Sequence, residues 1–132
     1  MKTLLLIILS IFTLTSCAGS PIRIGMKSQE ELKTEKWQSL CYAYDHGNRL
    51  NEMILSELNR RKLFTEDEIK LISYGEIAIG MGELALLCVK GFYPRVNRTV
   101  TKSGVSEQLI FRKHRRDTYV YIEDGKVTSY QD

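Results

Sequence analysis

The sequence predicts an α+β domain, with N-terminal helices packed on a small three- to four-stranded antiparallel sheet formed by the C-terminal third. Three observations predict it. Up to Val89 the apolar residues recur at helical spacing. From Val96 onward, β-branched and aromatic residues alternate with polar ones and are punctuated by turn residues. Pro94 stands between the two regimes and forbids a helix from running through.

The first stretch lies outside that domain. Lys2 supplies a positive start, Leu4 to Leu14 is a short apolar run, and Leu14-Thr15-Ser16-Cys17-Ala18-Gly19 crowds small residues at a cleavage point. This is the pattern of a secretory signal. The run is half of the ~20 apolar residues a membrane span needs, and the other apolar interval, Ile77 to Val89, is interrupted by Gly80, Gly82 and Glu83. The Leu-x-Ser-Cys end resembles the lipobox of bacterial lipoproteins. That resemblance implies a signal peptide over residues 1–16 and a mature chain that begins at a lipid-bearing Cys17, palmitate among its acyl chains. Each buried CH₂ contributes ~0.8 kcal/mol, so two or more chains make a stable anchor. Ala18, where Asp would retain the protein in the inner membrane, implies the outer membrane of a bacterial cell, with the domain facing the periplasm. An ordinary signal peptide with a chance cysteine is the plainer alternative.

Residues 17–28 are expected to be a lipidated tether, because Gly19, Ser20, Pro21 and Gly25 discourage regular structure. Residues 29–132 are expected to be the single domain. Ser28 and Glu31 have the spacing of a capping box, ahead of a helix from Gln29 or Thr34 to Tyr44 with Leu32, Trp37, Leu40 and Tyr44 on its stripe. Asp45-His46-Gly47-Asn48 reads as a turn. A second helix is expected from Arg49 to Lys62, with Leu50, Met53, Ile54 and Leu58 inward and Arg60-Arg61-Lys62 in the last turn, where cations suit the helix dipole. Thr65 and Glu68 form another capping-box signature, and the helix behind it, with Ile69 and Ile72, is expected to end near Tyr74-Gly75. After a connector, Gly82 to Val89 is expected to be helical, with Leu84, Leu87 and Cys88 inward.

Strands are expected over Val96–Thr101, Ser106–Lys113, Thr118–Glu123 and Lys126–Tyr130. Lys102-Ser103-Gly104 is a turn, His114 to Asp117 a loop, and Asp124-Gly125 the strongest hairpin signal in the chain.

The composition excludes several chemistries. A net charge of +3, which drops by one with Lys2, does not call for nucleic acid. There is no C-x-x-C, H-x-x-x-H or D-x-D-x-D-G, so no metal centre or cofactor is expected. Glu66-Asp67-Glu68 is a first-turn acidic bias, and Gly80-Met81-Gly82 lacks the Gly-Lys-Ser/Thr of a phosphate loop. Of the three cysteines, Cys17 is assigned to lipid. Cys41 and Cys88 remain as an even pair for an oxidising compartment and are expected to form a disulfide, two buried thiols being the alternative. Cys41, Asp45 and His46 can be drawn as a nucleophilic site, but the plainer reading is a polar turn after a helix. No catalytic residue is assigned and the chain is not expected to be an enzyme.

Two surface features stand out. Arg112-Lys113-His114-Arg115-Arg116 is the sharpest charge run. It is either a solvated loop or a contact for anionic head groups, made by Arg112, Lys113, Arg115 and Arg116. Tyr119, Tyr121 and Tyr130 are expected to share one sheet face, as a packing ladder or as a face for a partner protein.

Gly80-Met81, a short helix, Gly91 and Pro94 resemble the GM…helix…G-x-P motif of the SmpA/OmlA family of small outer-membrane lipoproteins. Glu107 to Phe111 lies where that family has a w-x-Y strand, and Tyr119-Val120-Tyr121-Ile122-Glu123-Asp124-Gly125-Lys126-Val127 is similar to its yvyFedGkv hairpin. The likeness covers residues 77–130. The chain departs from it in the extra residue of Gly91-Phe92-Tyr93-Pro94, in Gly82 where a Ser or Thr cap is usual, and over residues 29–75. The resemblance implies a non-catalytic interaction module that meets an envelope protein during outer-membrane assembly or maintenance. A small periplasmic inhibitor, or a lipoprotein that binds anionic lipid or glycan, is the alternative.

Overall fold

The structure, a computed structural model, describes residues 20–46, 51–92, 94–113 and 115–132. Cys17, the signal segment, Arg49, Leu50 and His114 lie outside the described residues. Within them the chain is α+β, with six helices followed by a four-stranded antiparallel sheet in the order β1-β2-β3-β4.

The expected tether is corrected over part of its length. Pro21–Gly25 forms a short helix, α1, and its Ile24 is buried. Proline at the first helical position removes an amide that would have no partner anyway, so Pro21 starts this turn instead of forbidding it. Asn51 Nδ2 donates to Gly25 O at 2.9 Å and ties the turn down.

The next expected helix is divided in two. Ser28 and Glu31 make the anticipated capping box, but α2 spans only Gln29–Leu32 before α3 takes over at Trp37–Asp45. Thr34 Oγ1 donates to Glu31 O at 2.8 Å, a local bond that competes with helix propagation. Lys27 pairs with Glu35 across the break. Trp37, freed from α2's direction, packs edge-on to Phe64 and Phe92, at centroid distances of 6.1 and 5.5 Å.

Helix α4 is Glu52–Arg60, shorter than expected. Asn51 caps it by accepting from the amides of Met53 and Ile54. Ile54 and Leu58 face inward as expected, but Met53 is exposed and Glu57 is completely buried in its stead. Helix α5, Glu66–Tyr74, carries the Thr65–Glu68 capping box and ends on Gly75 in the left-handed region at φ 70°. Helix α6, Glu83–Lys90, presents Ala85, Leu86, Cys88 and Val89 to the core. Leu84, expected inward, is exposed, and Leu87 is half-buried. The apolar face of this short helix is therefore rotated from the one read from its leucines.

The strands are β1 Arg95–Thr101, β2 Gly104–Lys113, β3 Arg116–Glu123 and β4 Lys126–Gln131. Arg116 and Asp117, expected in a loop, already belong to β3, opposite Lys113 and Arg112. Asp124 and Gly125 both have positive φ, 48° and 73°, as a tight hairpin turn requires. Leu109, Phe111, Val120, Ile122 and Val127 point to the helix side and are buried there. They meet Leu40, Ile54, Leu58, Ile69 and Leu86 in one core.

The expected tyrosine face is corrected by one residue of backbone. A regular hairpin from Glu123↔Lys126 would set Tyr130 opposite Tyr119. A bulge follows Ile122↔Val127, so the register becomes Tyr121↔Ser129 and Val120↔Tyr130. A one-residue shift moves every later side chain to the other face. Tyr119 and Tyr121 keep the outer face, while Tyr130 goes to the helix side at the sheet margin, where it is exposed.

Candidate functional site

The outer edge of β1 and the groove beneath it form the candidate site. A two-residue turn, Lys102-Ser103, joins Thr101 to Gly104. Such a turn can close only a hydrogen-bonded pair, because a non-bonded pair would need a further bond inside the turn. Bonded and non-bonded pairs alternate along an antiparallel ladder. Arg95, Asn97, Thr99 and Thr101 therefore spend their amides and carbonyls on β2, and Val96, Arg98 and Val100 aim theirs outward. Among the described residues no strand takes them up.

All seven residues of β1 are exposed. Val96 and Val100 lie on the helix side yet stay open, at 50% and 70% relative exposure. The buried residues of the helix-side face belong to β2, β3 and the start of β4, and none to β1. What remains is a groove of ≈710 Å³, walled by Tyr42 and Asp45 of α3, Leu87 and Lys90 of α6, and Val96 and Leu109 of the sheet. On the outer face Asn97 Nδ2 donates to Gln108 Oε1 at 2.9 Å and Gln108 Nε2 donates to the Tyr121 hydroxyl at 2.8 Å. This polar ladder runs across three strands and holds β1 flat against its neighbours.

The basic run does not form a single patch. Arg112 points to the outer face and holds Asp117 with two bonds, 2.9 and 3.1 Å. The hydrogen bond to Arg112 keeps the Asp117 carboxyl below its ordinary range. Lys113 points to the helix side, 3.3 Å from Asp45 Oδ2. Arg116 shares that face opposite Lys113, and Arg115 sits in the turn at φ 68°. Arg115 and Arg116 are exposed and make no ion pair among the described residues.

Cys41 and Cys88 are joined in a disulfide across 47 positions, with their Cα atoms 4.9 Å apart, and it links α3 to α6 under the groove. With its sulfur in that bond, Cys41 has no thiolate to offer, so the drawn trio with Asp45 and His46 lacks a nucleophile. His46 stacks on Tyr42, ring centroids 4.0 Å apart, and its Nδ1 lies 3.0 Å from Tyr42 O. No group of His, Cys, Asp or Glu among the described residues could hold a metal ion, and no helix among them is long and apolar enough to cross a membrane.

Two carboxylates, Glu57, unnoticed from sequence, and the capping-box Glu68, hold the helices together. Glu57 receives Arg60 and Arg61 in three bonds of 2.8 Å. Hydrogen bonding to Arg60, followed by Arg61, takes its pKa down from 4.5 to about 2 against the opposing effect of burial. The Glu57/Arg60/Arg61 spacing of three and four is the signal that could have found it. Arg61 also donates to Leu32 O at 3.0 Å, which binds α4 to the end of α2. Glu68 accepts from its own cap, Thr65 N, at 2.9 Å and from Gly82 N at 2.7 Å. Burial would raise its pKa, but the Thr65 and Gly82 amides and nearby Lys126 outweigh that and lower it.

No protein-family model, no curated protein and no solved structure matches this chain.

Proposed function

We propose that the chain is a lipid-anchored lipoprotein of the bacterial cell envelope, a non-catalytic protein-interaction module that faces the periplasm and serves outer-membrane assembly or maintenance. The observation that carries this reading is the division of the three cysteines. Cys41 and Cys88 bond to each other, as suits an oxidising compartment. Cys17 is left at the end of the signal-like segment, where a lipoprotein takes its acyl chains. The open sheet edge and its groove supply an interaction surface.

The test is metabolic labelling with an alkyne palmitate, followed by membrane fractionation, for the native chain and for Cys17→Ser. The native chain takes up label and sediments with the outer membrane, and the variant is unlabelled. Absence of label in the native chain, or its recovery from the cytosol, defeats the anchor. Crosslinked envelopes should yield barrel-assembly subunits. Recovery of a single soluble hydrolase would favour an inhibitor instead.

A further inference from the structure

We propose that β1 is a strand-addition site that takes an extended, acidic segment of a partner protein as a fifth strand of the sheet. This rests on the reading of the chain as an interaction module and names the chemistry of what it binds. Three facts converge on it. Val96, Arg98 and Val100 aim outward three amides and three carbonyls that have no partner among the described residues. Such a row is a template for another strand. The strand is long enough to specify one, at seven residues, and contains neither proline nor bulge. Its charge is one-sided, with Arg95 and Arg98 and no carboxylate.

The pairing rule then describes the occupant. Residues directly opposite each other in an antiparallel pair share a face and interact. Opposite Val96, over the groove, and opposite Val100, apolar side chains are favoured. Opposite Arg98 and Arg95, carboxylates are favoured. Arg98 already touches Glu107 at 3.4 Å but keeps 61% of its side chain exposed, enough for a second carboxylate. Opposite Asn97, Thr99 and Thr101, small polar residues fit. Charge disfavours a second copy of this chain. Two β1 strands would bring four arginines into one seam with no carboxylate from either, and the register centred on Arg98 would set guanidinium against guanidinium. The arginines thus guard the edge against self-pairing while they leave it open to an acidic strand.

The full chain, purified in detergent, is titrated with the capped peptide Thr-Val-Thr-Glu-Thr-Val-Glu and followed by amide hydrogen exchange. Strand addition protects every second residue. Amide exchange at Val96, Arg98 and Val100 is slowed, whereas Asn97 and Thr99, already bonded to β2, do not change. The Lys-for-Glu peptide binds roughly tenfold more weakly, since two favourable cross-strand pairs become unfavourable. Arg98→Glu cancels that preference in the variant, because each peptide then makes one favourable and one unfavourable pair, with the new carboxylate at position 98 and with the remaining Arg95. Val100→Pro removes one outward donor and weakens both peptides, and should it fail to fold, the Arg98→Glu result decides alone. The proposal is overturned if the alternating protection is absent, if both peptides bind the native chain equally, or if rising protein concentration or anionic vesicles alone protect the same amides. The peptide needs no lipid, so failure here leaves the palmitate result standing, and failure of labelling leaves this result standing.

Discussion

At the start of β4, along Lys126 and Val127, the edge of the sheet is met by the segment Gly80-Met81-Gly82. Gly80 N donates to Val127 O at 2.7 Å, Val127 N donates to Met81 O at 2.9 Å, and Glu83 N donates to Gly125 O at 3.0 Å. Along β1 no such segment is present among the described residues. The two edges start with the same backbone capacity. What differs is the chain around them. At β4, Glu68 fixes Gly82 and lies 3.9 Å from Lys126, so helix α5, helix α6 and the hairpin turn meet at one carboxylate. At β1 the neighbours are two arginines and a groove. A buried carboxylate with amide donors specifies a single arrangement, whereas Arg98, paired with Glu107 but still 61% exposed, keeps room for a second carboxylate. The closed edge belongs to the fold, and the open edge is where recognition has room to occur.

The largest effect expected from breaking this scheme is loss of the disulfide that joins α3 to α6. Replacing Cys41 and Cys88 together by Ala should lower stability to urea by roughly 3–4 kcal/mol in the chain-entropy account of a loop this long. Amide exchange at Val127, on the closed edge, should rise with the global loss. Amides of Val96, Arg98 and Val100 already face solvent and should barely respond. Equal sensitivity at the two edges would erase the distinction.

Glu57 comes next. Its Arg61 partner is only 17% exposed, so Glu57→Ala strands a half-buried cation, at a cost of about 2–3 kcal/mol. Acid should act on the same group. The folded carboxyl titrates at about 2 against an ordinary 4.5, so the unfolded chain binds more protons between these values. Its contribution is complete above pH about 4.5 and is lost as pH falls through about 2. Glu68, lowered as well, adds with the same sign. Melting temperature should therefore fall over that interval, and Glu57→Gln should flatten the decline. Replacing Arg95, which makes no ion pair among the described residues, should leave the shape of that acid limb alone.

Gly82→Ala tests the closed edge itself. A Cβ there would lie 2.9 Å from Glu68 Oε1, so either the carboxylate swings away from the Gly82 amide or the start of α6 moves. The expected loss is about 1–2 kcal/mol. Because both routes act through Glu68, the loss with Glu68→Ala should be less than additive. An additive result would mean that the carboxylate is not the obstacle. The same geometry accounts for a departure noticed in the sequence: the cap position is glycine because a carboxylate from α5 occupies the place that a Ser or Thr side chain would need.

How much of this was legible follows from the range of each interaction. Capping boxes at Ser28 and Thr65, the Asp124-Gly125 turn and the division of helices from strands depend on residues a few positions apart, and the sequence states them. The pairing of Cys41 with Cys88 was anticipated by parity and compartment. Burial was less legible. Leu84 and Met53 read as core residues and are exposed, while Glu57, which drew no notice in the sequence, lies inside. Which face of a short helix turns inward is decided by neighbours distant in sequence. Tyr130 was misplaced because a bulge leaves no residue signature, although Arg112 and Asp117 could have been paired had the hairpin register been drawn. The candidate site was legible in composition alone. The alternation from Val96 to Thr101 identifies a strand, but only the extent of the helical layer shows that it is left uncovered.

The smallest effect sharpens the contrast most. Val96→Thr combined with Val100→Thr removes two apolar side chains from the helix side of β1. In a covered strand, two such changes introduce buried hydroxyls and cost several kcal/mol. Here both positions are open to solvent, and threonine keeps the β-branched shape that suits a strand. Stability to urea should stay within about 0.5 kcal/mol of the native chain, with the melting transition as cooperative as before. A loss of about 2 kcal/mol or more would mean that the helices close over β1 in solution, that the groove is filled, and that the open edge is as much a part of the core as the closed one.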